Sequence, residues 1–270
     1  ATAGREGLGA TLRTDRWWIE PMITGLGFLS FVLYSSWAAF QGEHYYTGSY
    51  LSPFYSPLLF VDTVGGVAGG APLAHAWLGA WPESLPEWIP RSPALLILAA
   101  PLSFRATCYY YRKFYYRSYF LSPPGCALGG IRQGKYRGET RLFLIQNIHR
   151  YTLYIALTYV AILYYDAYLA FFRDGVAGIG VGSVILFLNP TLLACYVLGC
   201  HSFRHLVGGN LDCFSCDAMS TGRKSLWDKV TALNGRHMMW AWISLVWVGF
   251  TDIYVRLVSM GVWTDWNTWS

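Results

Sequence analysis

Gly182-Ser-Val-Ile-Leu-Phe-Leu-Asn-Pro-Thr-Leu-Leu-Ala-Cys-Tyr-Val-Leu-Gly-Cys-His-Ser-Phe-Arg-His-Leu-Val207 decides the fold class. No Asp, Glu, Lys or Arg occurs in it before Arg204. That is enough apolar chain to cross a hydrocarbon layer about 30 Å thick. Pro190 is expected to kink the helix, and Gly208-Gly209 just beyond it is a stop signal. Cys200, His201, Arg204 and His205 are packed into its last two turns. The stretch is therefore a membrane span whose end carries metal-binding side chains.

Four further stretches read as spans: 22–41, 93–111, 143–172 and 236–260. The second is interrupted by Arg105, and the third is longer than a bilayer requires. Asp15-Arg16-Trp17-Trp18 introduces the first as an interfacial anchor. The residues before it mix basic and acidic charges and do not read as a cleaved signal. Composition agrees: 54% of the 270 residues are hydrophobic and only 13% charged. A typical soluble domain has about 25% charged residues. Aromatics at 18% suit two interface belts, and a net charge of +5 is too small to argue for nucleic acid. The expected fold is an all-α bundle of about five transmembrane helices, forming a single integral membrane domain over 1–270.

Sidedness follows from Lys and Arg. The stretch 105–141 holds eight of them against Glu139 alone, and 204–236 holds five. The long loop 42–90, rich in Gly, Pro and aromatics, holds four acidic residues and no Lys or Arg. The positive-inside rule then puts 105–141, 204–236 and the N-terminus in the cytoplasm. The 42–90 loop, an ordered cap, and the C-terminus lie outside the plasma membrane.

This topology gathers Cys108, Cys126, His149, Cys200, His201, His205, Cys213, Cys216 and His237 at the cytoplasmic side. Imidazole and thiolate hold iron, zinc and haem. One histidine in a span is often just an interhelical hydrogen-bonder. Four pooled on one side read as functional, because polar groups are costly there. Cys195, deep in its span, reads as packing. Cys213-x-x-Cys216 could be half a zinc site or a redox pair, and a structural disulfide is not expected in a reducing cytoplasm. Asp166 and Asp252 lie near outer helix ends, where they are solvated or feed protons. Two cofactors fit the pool. Facing histidines would hold a haem b, while two cysteines with two histidines would hold a Rieske-type [2Fe–2S] cluster. The cysteines favour the cluster, although the soluble CxH…CxxH spacing is absent.

Several segments together resemble a known family. They are Ser52-Pro-Phe-Tyr-Ser-Pro57, Cys108-Tyr-Tyr-Tyr-Arg-Lys113, Ser122-Pro-Pro-Gly-Cys126, Gln146-Asn-Ile-His-Arg-Tyr151, Cys200-His-Ser-Phe-Arg-His205 and Leu233-Asn-Gly-Arg-His237. The set resembles the membrane-anchor (cytochrome b-like) subunit of actinobacterial succinate dehydrogenase, in the mycobacterial type F branch of respiratory complex II. The resemblance implies a flavoprotein partner that oxidises succinate and an iron–sulfur subunit that passes electrons to this chain. It also implies a Rieske-type [2Fe–2S] cluster rather than haem, with menaquinone or ubiquinone as acceptor. The pattern departs at Phe203, where relatives often carry Cys, and at Cys213 and Cys216, where relatives tend to be basic. The ligand pool is then Cys108, Cys126, Cys200, His149, His201, His205 and His237, of which two Cys and two His are expected. Tyr109, Arg204, Trp17 and Trp18 are the quinone-binding candidates. Membrane lipids are partners in any case, and a higher oligomer is compatible with the reading. The rival readings are a haem b anchor and a cofactor-free structural anchor. A transporter fits less well, since no inverted repeat is visible.

Overall fold

The computed structural model describes residues 7–62, 67–84, 86, 88, 90–131, 138–209 and 211–269, with 138–146 as backbone only. Gly65 and Gly66 of the long loop, and Arg132, Lys135 and Arg137 of the basic stretch, lie outside the described residues, as does the Gln146 side chain.

Among the described residues four helices are long and apolar enough to cross a membrane. They are α1 (Ile19–Gln41), the 147–169 part of α5 (Gly138–Leu169), α6 (Val181–Leu198) and α9 (His237–Ser259). α1 stops where Gly42 adopts the left-handed conformation, with φ 66°. Its Ile23, Leu26, Leu33 and Phe40 are exposed, as a lipid-facing stripe should be.

The expected second span is not one helix. The chain returns along α1 as three short pieces, α2 (Pro93–Ile97), α3 (Ala99–Thr107) and α4 (Tyr109–Phe114), followed by a π-helical turn at Tyr115–Tyr119. Ser92 Oγ donates to Ala39 O near one end of α1, and Tyr119 Oη donates to Gly25 O near the other, at 3.0 Å. The return is therefore antiparallel to α1. Pro101 has no N–H to donate backwards, so the helix restarts around it. Cys108 then takes an extended conformation, φ −65° and ψ 137°, and breaks the helix again.

The expected 182–207 span also breaks. α6 ends at Leu198, Cys200 is extended at φ −66° and ψ 143°, and α7 (His201–Gly208) sets off on a new axis. Pro190 sits inside α6 without ending it. The basic stretch that follows contains a further helix, α8 (Ala218–Asn234), capped by Asp217 through the Ser220 N–H at 2.7 Å.

The loop between α1 and α2 is more than a surface cap. Short hairpin strands β1 (Tyr46–Thr47) and β2 (Tyr50–Leu51) anchor it. Tyr45, Phe54, Tyr55 and Leu58 form a core with Ala38, Ala39 and Ala94. Tyr50 wedges against α6, where a Cβ on Gly182 would come 2.4 Å from its ring. A second hairpin, β3 (Phe172–Arg173) with β4 (Val176–Ala177), joins α5 to α6 at the same end. The opposite end, called the basic end below, has its own core of Phe104, Tyr111, Leu153, Tyr196, Ala241 and Leu245.

Candidate functional site: a cysteine–histidine centre at two helix breaks

The two breaks share one feature. Cys108 and Cys200 each occupy the extended residue that precedes a new helix, α4 and α7. Both thiols are free and buried, with 2% exposure apiece. The Cys200 sulfur accepts from the Ser202 N–H at 3.4 Å. A helix start offers unpaired N–H groups that can bond to such a sulfur.

Two histidines complete the group. On α5, His149 begins a buried face that continues with Leu153 and Ala156. On α9, His237 begins one that continues with Ala241, Ser244 and Leu245. The His149 Nε2 atom lies 3.2 Å from Cys200 Sγ, and its Nδ1 lies 2.9 Å from Thr107 Oγ1, at the end of α3. The His237 Nδ1 atom is buried with no hydrogen-bond partner. It lies close to Gly199, where an added Cβ would come 3.4 Å from that nitrogen and 2.7 Å from Cys195 O. A side chain at 199 would thus crowd the helix end beside Cys200. Asn234 of α8 holds the same point, donating to Gly199 O at 2.8 Å.

An aromatic ring packs on each imidazole. Phe104 stacks on His149 with centroids 4.5 Å apart and an interplanar angle of 13°. Tyr196 stacks on His237 at 5.0 Å and 11°. Phe104 and Tyr196 meet edge-on at 5.5 Å.

The remaining members of the ligand pool stay apart from this group. Cys126 is exposed, with Arg117 Nη2 3.7 Å from its sulfur. His201 and His205 do share a face of α7, but that face is exposed, because the break at Cys200 resets the helical phase. Among the described residues no three of His, Cys, Asp and Glu converge on one point that could hold a single metal ion. Cys213 and Cys216 form a disulfide, against the sequence expectation. The turn between α7 and α8 brings their Cα atoms to 5.8 Å, within the usual range for one.

The four quinone candidates are also dispersed. Arg204 donates to Thr231 Oγ1 at 3.0 Å and lies over Trp227, 4.2 Å from the ring centroid, so it ties α7 to α8. Tyr109 is exposed beneath Arg112. Trp17 packs towards Gly9, and the exposed Trp18 caps α1. None of the four lines the apolar cavity of about 300 Å³ that runs between α1, α3, α5 and α6. Phe104, Arg105 and Tyr196 do line it, with Phe31, Leu98 and Val248. Sequence reading takes Arg105 as an interruption of a span and as one of the eight basic residues of 105–141. Its one signal was a lone charge three residues before Cys108.

The comparisons agree with this architecture. Residues 19–261 match the family described as actinobacterial succinate dehydrogenase subunit SdhC. A solved structure, the Mycobacterium smegmatis Sdh1 complex in the apo form, contains a chain 42% identical to this one. The two superpose with a TM-score of 0.83, over 96% of this chain and 94% of that one. A search of curated proteins gave no match. This chain belongs to the actinobacterial SdhC family and is a membrane-anchor subunit of a succinate dehydrogenase, a quinone oxidoreductase complex.

Proposed function

We propose that the chain passes electrons from an iron–sulfur partner subunit to a membrane quinone. A Rieske-type [2Fe–2S] cluster held by Cys108, Cys200, His149 and His237 would serve as the relay. The observation that carries the reading is the pairing of His149 with the buried Cys200 thiol at one helix break, with Cys108 in the same buried core and His237 beside Gly199. The donor chemistry fits, since a Rieske centre takes two cysteines on one iron and two histidines on the other. A binuclear cluster also needs no trio of donors around one point. When bound, such a cluster takes up and gives up one electron at a time, at a potential raised by its imidazole ligands. Binding it would replace the hydrogen bond between His149 and Cys200.

The chain's own residues have separate tasks. The Ser202 N–H on the Cys200 sulfur would hold that thiol in place. The rings of Phe104 and Tyr196 orient the imidazoles and exclude water. The cavity of about 300 Å³ reaches Phe104 and Tyr196 and has the size and apolar lining suited to a quinone. By the positive-inside rule the basic end faces the cytoplasm, where the iron–sulfur and flavoprotein subunits dock. The N-terminus is then inside and the C-terminus outside. Succinate oxidation resides in the partners.

The test is low-temperature EPR, with an optical spectrum and iron analysis, on the complex purified with its partner subunits. Cys108→Ser, Cys200→Ser, His149→Ala and His237→Ala are expected to remove a Rieske-type signal. Cys126→Ser, His201→Ala and His205→Ala are expected to keep it. Haem bands in place of that signal, or a signal surviving all four core substitutions, would overturn the assignment.

A further inference from the structure

Arg105 sits in α3, one turn before Cys108, inside the bundle. Its Nη1 donates to Tyr111 Oη at 2.6 Å and to Ala241 O at 3.2 Å, and its Nη2 donates to Ser244 Oγ at 3.0 Å. All three partners are neutral. Among the described residues the ion pairs are Arg13–Asp15, Arg91–Asp62, Lys224–Asp228 and Arg256–Asp252, so no carboxylate pairs with Arg105. A part-buried arginine held on three neutral acceptors without a counter-charge calls for a reason beyond packing.

Its position supplies one. The guanidinium carbon lies 4.9 Å from the centroid of Tyr196 and 5.7 Å from that of Tyr111. Tyr196 is the ring stacked on His237. Phe104, next to Arg105 in sequence, is the ring stacked on His149. The charge therefore stands one aromatic ring away from the imidazole pair, in a setting with little water to screen it.

We propose that Arg105 is an electrostatic positioning residue, a fixed positive charge that raises the electron affinity of the Cys/His centre. The inference rests on the cluster reading given above. Adding an electron to the centre makes it more negative, and a nearby cation stabilises that state. A merely structural Arg105, pinning α3 to α9 through Ala241 and Ser244, would act through its hydrogen bonds and leave the potential alone.

The experiment is an EPR-monitored redox titration of the purified complex, with succinate oxidation by an artificial acceptor as the assembly control. Arg105→Gln is expected to shift the midpoint potential to lower values. Arg105→Lys, which keeps the charge, is expected to stay close to the parent. Ser244→Asp keeps Arg105 but sets a carboxylate against it, and is expected to lower the potential as well. An unmoved potential in Arg105→Gln overturns the proposal, and so does a shift in Arg105→Lys as large as that in Arg105→Gln. If Arg105→Gln does not assemble, Ser244→Asp decides, and an unmoved potential there overturns it. Absence of the signal in the parent complex overturns the cluster reading and this proposal together. A titratable signal whose potential ignores all three substitutions overturns this proposal alone.

Discussion

At the loop end, Asp252 of α9 is wholly buried and met by two hydroxyls and a cation, whereas at the basic end the buried groups include soft donors, thiols and imidazoles. Tyr34 and Ser52 both donate to the Asp252 carboxylate, and Arg256 lies 3.5 Å from it. Arg256 also donates to Glu43 O at 2.9 Å and covers Trp37. Ser56, four residues after Ser52, donates to Asp166 of α5. Segment 52–57 thus carries two hydroxyls to two membrane carboxylates, and the sequence expectation that Asp252 is solvated is corrected. At the basic end Cys108 and Cys200 sit at helix breaks, and the His237 Nδ1 atom has no hydrogen-bond partner. The loop end bonds its two helix carboxylates to its own hydroxyls, a structural arrangement. The other keeps soft donors at helix breaks.

Substitutions can break this contrast. The largest loss of stability is expected from Asp252→Ala. It leaves Arg256 buried without its carboxylate, a change that costs about 3–5 kcal/mol. The melting temperature of the purified complex measures it, and a loss no larger than that of a surface variant would end the structural reading of this end. Ser52→Ala comes next, removing a hydroxyl bonded to a carboxylate, for about 1.5–3 kcal/mol. His237→Phe is expected to cost less than about 1.5 kcal/mol, because the ring shape is nearly kept and the buried nitrogen has no bond to lose. Its cost appears instead as loss of quinone reduction. A melting temperature as low as that of Asp252→Ala would place His237 among the structural residues.

The four intact spans were legible because their apolar runs match the bilayer, and membership of the bundle follows from that match alone. The ends of the runs were less legible. Treated as one helix, 182–207 puts Cys200, His201 and His205 in a single phase around the axis. The break after Leu198 keeps Cys200 in the core and turns both histidines outward. Gly199 and the small turn-forming capacity of Cys200 do not announce that break locally, since it is fixed by the contacts with His237 and Asn234 from distant elements. Pro101 was a readable warning for the second pass. α8 also left a signal, with Asp217 as cap and Leu226, Val230 and Leu233 at helical spacing, which the basic charge of the stretch obscured. The pairing of Ser52 and Ser56 with Asp252 and Asp166 joins positions more than a hundred residues apart, beyond the reach of any local pattern.

The smallest effect is expected at the surface of the basic end, and it tests whether that surface and the centre are separable. Asp217 accepts from the Ser220 N–H and hydroxyl, at 2.7 and 3.0 Å, and these bonds hold its carboxyl below the usual range. A carboxylate with a lowered value stabilises the folded state above its unfolded pKa of about 3.9. That contribution is lost as the pH falls through the lower, folded value. The first turn of α8 should therefore stay protected at neutral pH and open only on strong acidification. Asp217→Ala should open it at pH 7, while Asp217→Asn, still able to cap, should not. Amide exchange at Ser220 and Thr221 reads this directly. The far end of α8 is anchored separately, through Asn234 on Gly199 O beside Cys200. Fraying at Asp217 should accordingly leave quinone reduction unchanged. A parallel loss of activity would mean that α8 transmits strain along its whole length, and that the centre depends on this surface as closely as Asp252 depends on the loop.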